Sequence, residues 1–86
     1  MEIEAFEMNL RRFSKCVCGA GVWVLAFHRH RVVFTCRKCG YFVELPYAKA
    51  HEVFCRIVSR PGLSDAATVA NAKRILEAYP RWSELS

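Results

Sequence analysis

The chain has 86 residues, a formal net charge of +5, 53% apolar residues and 24% charged residues. That is the size expected of one domain and the balance of a globular rather than a disordered chain. No apolar run approaches the roughly 20 residues of a membrane-spanning helix, and a domain this small is expected to need a staple beyond its own core.

The charge is unevenly placed. Between Glu7 and Glu44 there is no acidic residue, while Arg11, Arg12, Lys15, Arg29, Arg31, Arg37 and Lys38 fall there. Concentrated positive charge raises the expectation of a polyanionic partner through counterion release. The N-terminus, Met1-Glu2-Ile3-Glu4, is acidic and lacks the basic start of a secretory signal. The expected location is therefore a reducing cytoplasm, where paired cysteines are more often metal ligands than disulfides.

In chain order, Ile3, Phe6, Leu10 and Phe13 stand at helical spacing, with acids early and bases late as the helix dipole favours. The spacing predicts a helix over residues 2–13, with a strand at Glu2–Met8 as the competing reading. Val22–Phe27 and Val32–Thr35 are rich in β-branched and aromatic residues and flank a short polar tip, the pattern of a β-hairpin. Tyr41–Leu45 reads as a third strand, stopped by Pro46. Tyr47, Ala50, Phe54, Ile57 and Val58 mark a helix up to Ser59, broken at Arg60-Pro61-Gly62-Leu63. Ser64 is placed to cap a second helix that runs through Ala66, Val69, Ala72, Ile75 and Leu76 to Tyr79. Trp82 follows it within reach of the core. The expected organisation is one domain, 1–86, made of an N-terminal helix (1–14), a cysteine-bearing sheet (15–45), a helical hairpin (46–80) and a tail (81–86).

Cys16-Val17-Cys18-Gly19 and Cys36-Arg37-Lys38-Cys39-Gly40 frame the hairpin. Two thiolates so close in sequence need a sharp turn to aim at one ion, and a following Gly permits the positive φ of such a turn. The hairpin returns the chain so that both turns meet. Four thiolates then give a closed tetrahedral site of the kind zinc prefers. Three other readings use the same residues: two disulfides, a redox pair at Cys36 and Cys39, and an iron or iron–sulfur site. Disulfides would need export. A redox pair would need a βαβ context, which the sequence does not offer. Iron against zinc stays open. Catalytic metal is disfavoured, because four thiolates leave no open position for water. The fifth cysteine, Cys55, lies four residues after His51. It reads as a buried apolar cysteine beside Phe54 and Ile57, with half of a second metal site as the alternative.

The two knuckles on a hairpin, with a third strand beside it, resemble the zinc-ribbon family over residues 15–45. The first knuckle departs from the usual C-x-x-C by one residue. The resemblance implies an α+β fold with a three-stranded ribbon and one structural Zn2+ per chain held by Cys16, Cys18, Cys36 and Cys39. It also implies company in transcription, RNA polymerase or the ribosome. An enzyme is not expected, because no nucleophile–base or carboxylate pair stands near the knuckles.

The functional expectation then falls on the cations. Arg29, Arg31, Arg37 and Lys38, with His28 and His30 at the hairpin tip, are expected to meet nucleic acid, DNA before RNA. Trp23, Phe27, Phe34, Tyr41 and Phe42 supply candidate stacking rings. Residues 57–76 also resemble a helix-turn-helix, whose exposed readers would be Ser64, Asp65, Thr68, Asn71, Lys73 and Arg74. The alternative partner is a protein, either a large complex or a second copy in a homodimer. That reading rests on the first strand being apolar on both faces, Val22, Val24 and Ala26 on one and Trp23, Leu25 and Phe27 on the other.

Overall fold

The computed structural model describes residues 5–10, 16–82 and 84. Four strands run antiparallel in the order β1-β2-β3-β4: β1 (Ala5–Asn9), β2 (Val22–His28), β3 (Arg31–Cys36) and β4 (Phe42–Pro46). Helix α1 (Tyr47–Ser59), a short 3-10 turn (Pro61–Leu63), helix α2 (Ala66–Glu77) and helix α3 (Tyr79–Trp82) complete the α+β chain. Among the described residues, no helix is long and apolar enough to cross a membrane.

The N-terminal segment is a strand, not the helix expected over residues 2–13. Phe6, Met8 and Leu10 are buried while Glu7 and Asn9 are exposed, which is a period of two. Both periods were present in the sequence. The free edge of β2 decides between them, because pairing Phe6 with Leu25 and Met8 with Trp23 places three apolar side chains on the core face. Ile3 and Phe13, which completed the helical stripe, lie outside the described residues. The sheet is therefore four-stranded rather than three-stranded.

Residues of β2 and β3 alternate between the two faces. Trp23, Leu25, Phe27, Val32, Phe34 and Cys36 turn toward the helices and are buried. α1 buries Tyr47, Ala50, Phe54 and Ile57, and α2 buries Thr68, Ala72 and Ile75. Phe27 is the hub. Phe6 meets it edge-on at 5.6 Å, Trp82 stacks on it at 5.0 Å, and Tyr47 and Phe54 lie 6.3 Å away. Trp82 thus folds back onto the core as its position suggested, and each such ring pair adds about 0.5–1.5 kcal/mol beyond area burial. Val22, Val24, Ala26, Val33 and Thr35 lie on the opposite face and are partly buried.

α2 does more than cover the sheet. The Asn9 N–H donates to Thr68 Oγ1 at 2.9 Å, and Asn71 Nδ2 donates to the Glu7 carbonyl at 3.2 Å. Side chains of α2 therefore occupy the outer edge of β1, where an unpaired ladder would otherwise invite another strand. Ser64 does not cap α2. Asp65 holds the N-cap position without a side-chain bond, and the Ser64 hydroxyl is buried.

Candidate metal centre

Each knuckle is a local turn closed by its glycine. In the first, the Gly19 N–H donates to the Cys16 carbonyl at 2.9 Å; in the second, the Gly40 N–H donates to the Cys36 carbonyl at 3.0 Å. Gly19 has φ 89 and Gly40 has φ 80, the left-handed region that glycine enters without strain. The bond spans three residues in the C-x-C turn and four in the C-x-x-C turn. A tighter turn thereby absorbs the missing residue of the first knuckle.

The hairpin register brings the turns together. Cys36 pairs with Trp23, and the Arg37 N–H donates to the Val22 carbonyl at 3.1 Å. The Leu10 N–H donates to the Gly21 carbonyl at 2.7 Å, which ties β1 to the strand entering β2. As a result the Sγ atoms of Cys16, Cys18, Cys36 and Cys39 all lie within 4.8 Å of one another. Cys16 and Cys39 sulfurs are 3.3 Å apart and those of Cys18 and Cys36 are 3.7 Å apart. A tetrahedron of sulfurs with metal bonds of about 2.3 Å has edges of about 3.8 Å, so the four groups can hold a metal ion of zinc's size. All five cysteines are unbridged. Cys16 and Cys36 are buried, while Cys18 and Cys39 face outward.

The backbone also prepares the charge. The Cys39 amide, with Lys38's behind it, outweighs burial and brings the Cys36 thiol down to about 6. At Cys16 the Cys18 amide pulls down, but burial and the crowding of the other three thiols push it up to about 12. The Cys36 sulfur is thus readily a thiolate, whereas an ion would have to displace the proton of Cys16.

The basic residues do not gather at this centre as one surface. Arg37 and Lys38 sit on the second knuckle, whereas His28, Arg29, His30 and Arg31 sit at the hairpin tip. β2, seven residues long, separates the two by about 20 Å. Arg31 is bridged to Glu44 at 3.3 Å, and Arg37 is bridged to Glu7. Lys73 and Arg74 lie on α2, with the Arg74 guanidinium 5.4 Å over the Phe6 ring. The helix-turn-helix readers do not all face solvent: Thr68 is buried against β1 and Asn71 is bonded to it. Of the five candidate rings, Trp23, Phe27 and Phe34 are core, while Tyr41 and Phe42 are exposed.

Cys55 is exposed, contrary to the expectation of burial. It follows Phe54 by about 100° around α1, which carries it off the apolar stripe. Its Sγ lies 3.7 Å from His51 Nδ1, and among the described residues the four knuckle cysteines form the only cluster able to hold a metal. No protein-family model, curated protein or solved structure matches this chain.

Proposed function

We propose that this is a small binding protein of the zinc-ribbon type, stapled by structural zinc and acting on single-stranded nucleic acid, DNA before RNA, in a transcription setting in the cytoplasm. A closed four-thiolate site offers no position to a substrate, which supports a binding protein rather than an enzyme. The observation that carries the reading is at the second knuckle. Tyr41 and Phe42 are 49% and 60% exposed, within a few residues of Arg37 and Lys38. Exposed rings beside cations suit bases stacked along a phosphate backbone. The Arg37–Glu7 pair does not block this, because both side chains are more than half exposed and such a pair is worth only about 0–1 kcal/mol. Phosphate can take its place.

Titration of a fluorescent oligothymidylate followed by anisotropy tests the proposal. Binding is expected to weaken with salt, with a slope of about −0.7 per phosphate contact. Phe42→Ala is expected to remove about 1–3 kcal/mol of stacking, and Lys38→Glu is expected to flatten the salt slope. No retention at low salt, or binding indifferent to both substitutions, refutes it. A second reading has its own observation: Val22, Val24, Ala26 and Val33, all only partly buried, make the sheet face opposite the core apolar, as in a protein-docking or homodimer surface. Sedimentation showing self-association that Val24→Glu abolishes favours that reading.

A further inference from the structure

The two edges of the sheet are treated differently. α2 closes the β1 edge through Thr68 and Asn71. At the other side the sheet order ends on β4, with no further strand among the described residues. The Cys36 N–H donates to the Tyr41 carbonyl at 2.7 Å, and the Tyr47 N–H donates to the His30 carbonyl at 3.0 Å. These bonds fix the alternation of the ladder. Val43 and Leu45 turn their backbone groups to β3, opposite Phe34 and Val32, so the N–H and C=O of Phe42 and Glu44 point outward.

Beside this edge, under α1, lies a cavity of about 90 Å³. Leu10, Trp23, Phe34, Val43, Leu45 and Val53 form its wall, and Arg56 is the one charged residue among the described residues that line it. It is smaller than the roughly 150 Å³ apolar cavity that admits benzene, a size suited to one aliphatic side chain. The ion pairs among the described residues are Arg31–Glu44 and Arg37–Glu7, and Arg56 belongs to neither.

We propose that the β4 edge binds an extended acidic peptide as a fifth strand, with one aliphatic side chain in the cavity and a carboxylate two residues away on Arg56. Strand addition supplies main-chain bonds, and side chains two apart share the face that looks into the cavity. A second copy of this chain fits less well. Two-fold pairing of β4 with itself would bring two Arg56 side chains to one seam, with no acid on that face of β4 to answer them. Nucleic acid fits less well again, because the cavity wall is apolar.

The experiment uses the full chain, isotopically labelled, titrated with acetyl-Thr-Leu-Thr-Glu-Thr-amide at millimolar concentration and followed by amide NMR. The Phe42 and Glu44 amides are expected to shift and to exchange more slowly. Replacing Glu by Lys in the peptide is expected to weaken binding roughly tenfold, and Arg56→Glu, at an exposed position, is expected to invert that preference. Lys38→Glu is expected to leave peptide binding unchanged, which separates this surface from the second knuckle. Unmoved Phe42 and Glu44 amides, equal binding of the Glu and Lys peptides, or the same shifts produced by protein concentration alone would each overturn the proposal, the last by making a second copy the occupant.

Discussion

Replacing Gly40 by alanine separates backbone strain from packing at the metal centre. A Cβ at Gly40 meets no atom within 4 Å, so steric collision contributes nothing. What remains is φ 80, where an L-residue costs about 1–2 kcal/mol. The turn holding Cys36 and Cys39 in reach of one ion requires that φ, so the strain is expected to be read as metal affinity. Gly40→Ala should weaken it by roughly five- to thirtyfold. D-alanine at the same position, introduced by chemical synthesis, has no such strain and loses freedom in the unfolded chain. It is expected to match or exceed glycine by about 0.4–1 kcal/mol. Gly62→Ala is the control, since a Cβ there also meets open space and its φ is not in the left-handed region; metal affinity should be unchanged. Competition against a chromophoric chelator measures all three. L-alanine binding metal as tightly as glycine, with D-alanine weaker, refutes the knuckle geometry.

Other substitutions test the fold around the centre. Thr68→Val keeps the shape of a buried side chain but removes the acceptor for the Asn9 N–H; urea unfolding should show a loss of about 1–2 kcal/mol, with faster hydrogen exchange in β1. His30 has φ 66 at the hairpin tip, so His30→Gly should leave the unfolding midpoint unchanged or raise it by about 0.5 kcal/mol in stability. Burial raises the Tyr47 phenol above its ordinary range. A group with a raised folded pKa contributes stability that is intact below its unfolded value of about 10 and is lost as pH rises beyond it. Stability should therefore fall above pH ~10, and Tyr47→Phe should shallow that fall; parallel pH profiles for the two proteins contradict the burial argument.

What the sequence made legible was chiefly local. Two glycines at fixed offsets from two cysteine pairs are enough to specify both turns, and the hairpin between them follows from β-branched runs around a polar tip. The β1 segment was ambiguous because Phe6 and Leu10 serve a helical stripe and a period-two strand equally. Only the open edge of β2, a long-range property, selects the strand. That ambiguity propagated. With β1 read as a helix, Thr68 and Asn71 had no edge to cap and looked like free polar residues on a recognition helix. Cys55 failed for a different reason: an apolar neighbour in sequence does not share a face on a helix. The cavity beneath α1 depends on how far that helix overhangs β4, which no spacing in the chain records.

The central claim is that Cys16, Cys18, Cys36 and Cys39 hold one metal ion and that this ion staples the fold. Native mass spectrometry of the full chain, with elemental analysis, tests it most directly. One zinc per chain is expected, with four thiols protected from alkylation until a chelator removes the metal, Cys55 alone reactive before that, and a lower melting temperature afterwards. A metal-free chain that melts at the same temperature with and without added zinc, or disulfides joining the knuckles in the native protein, would contradict it.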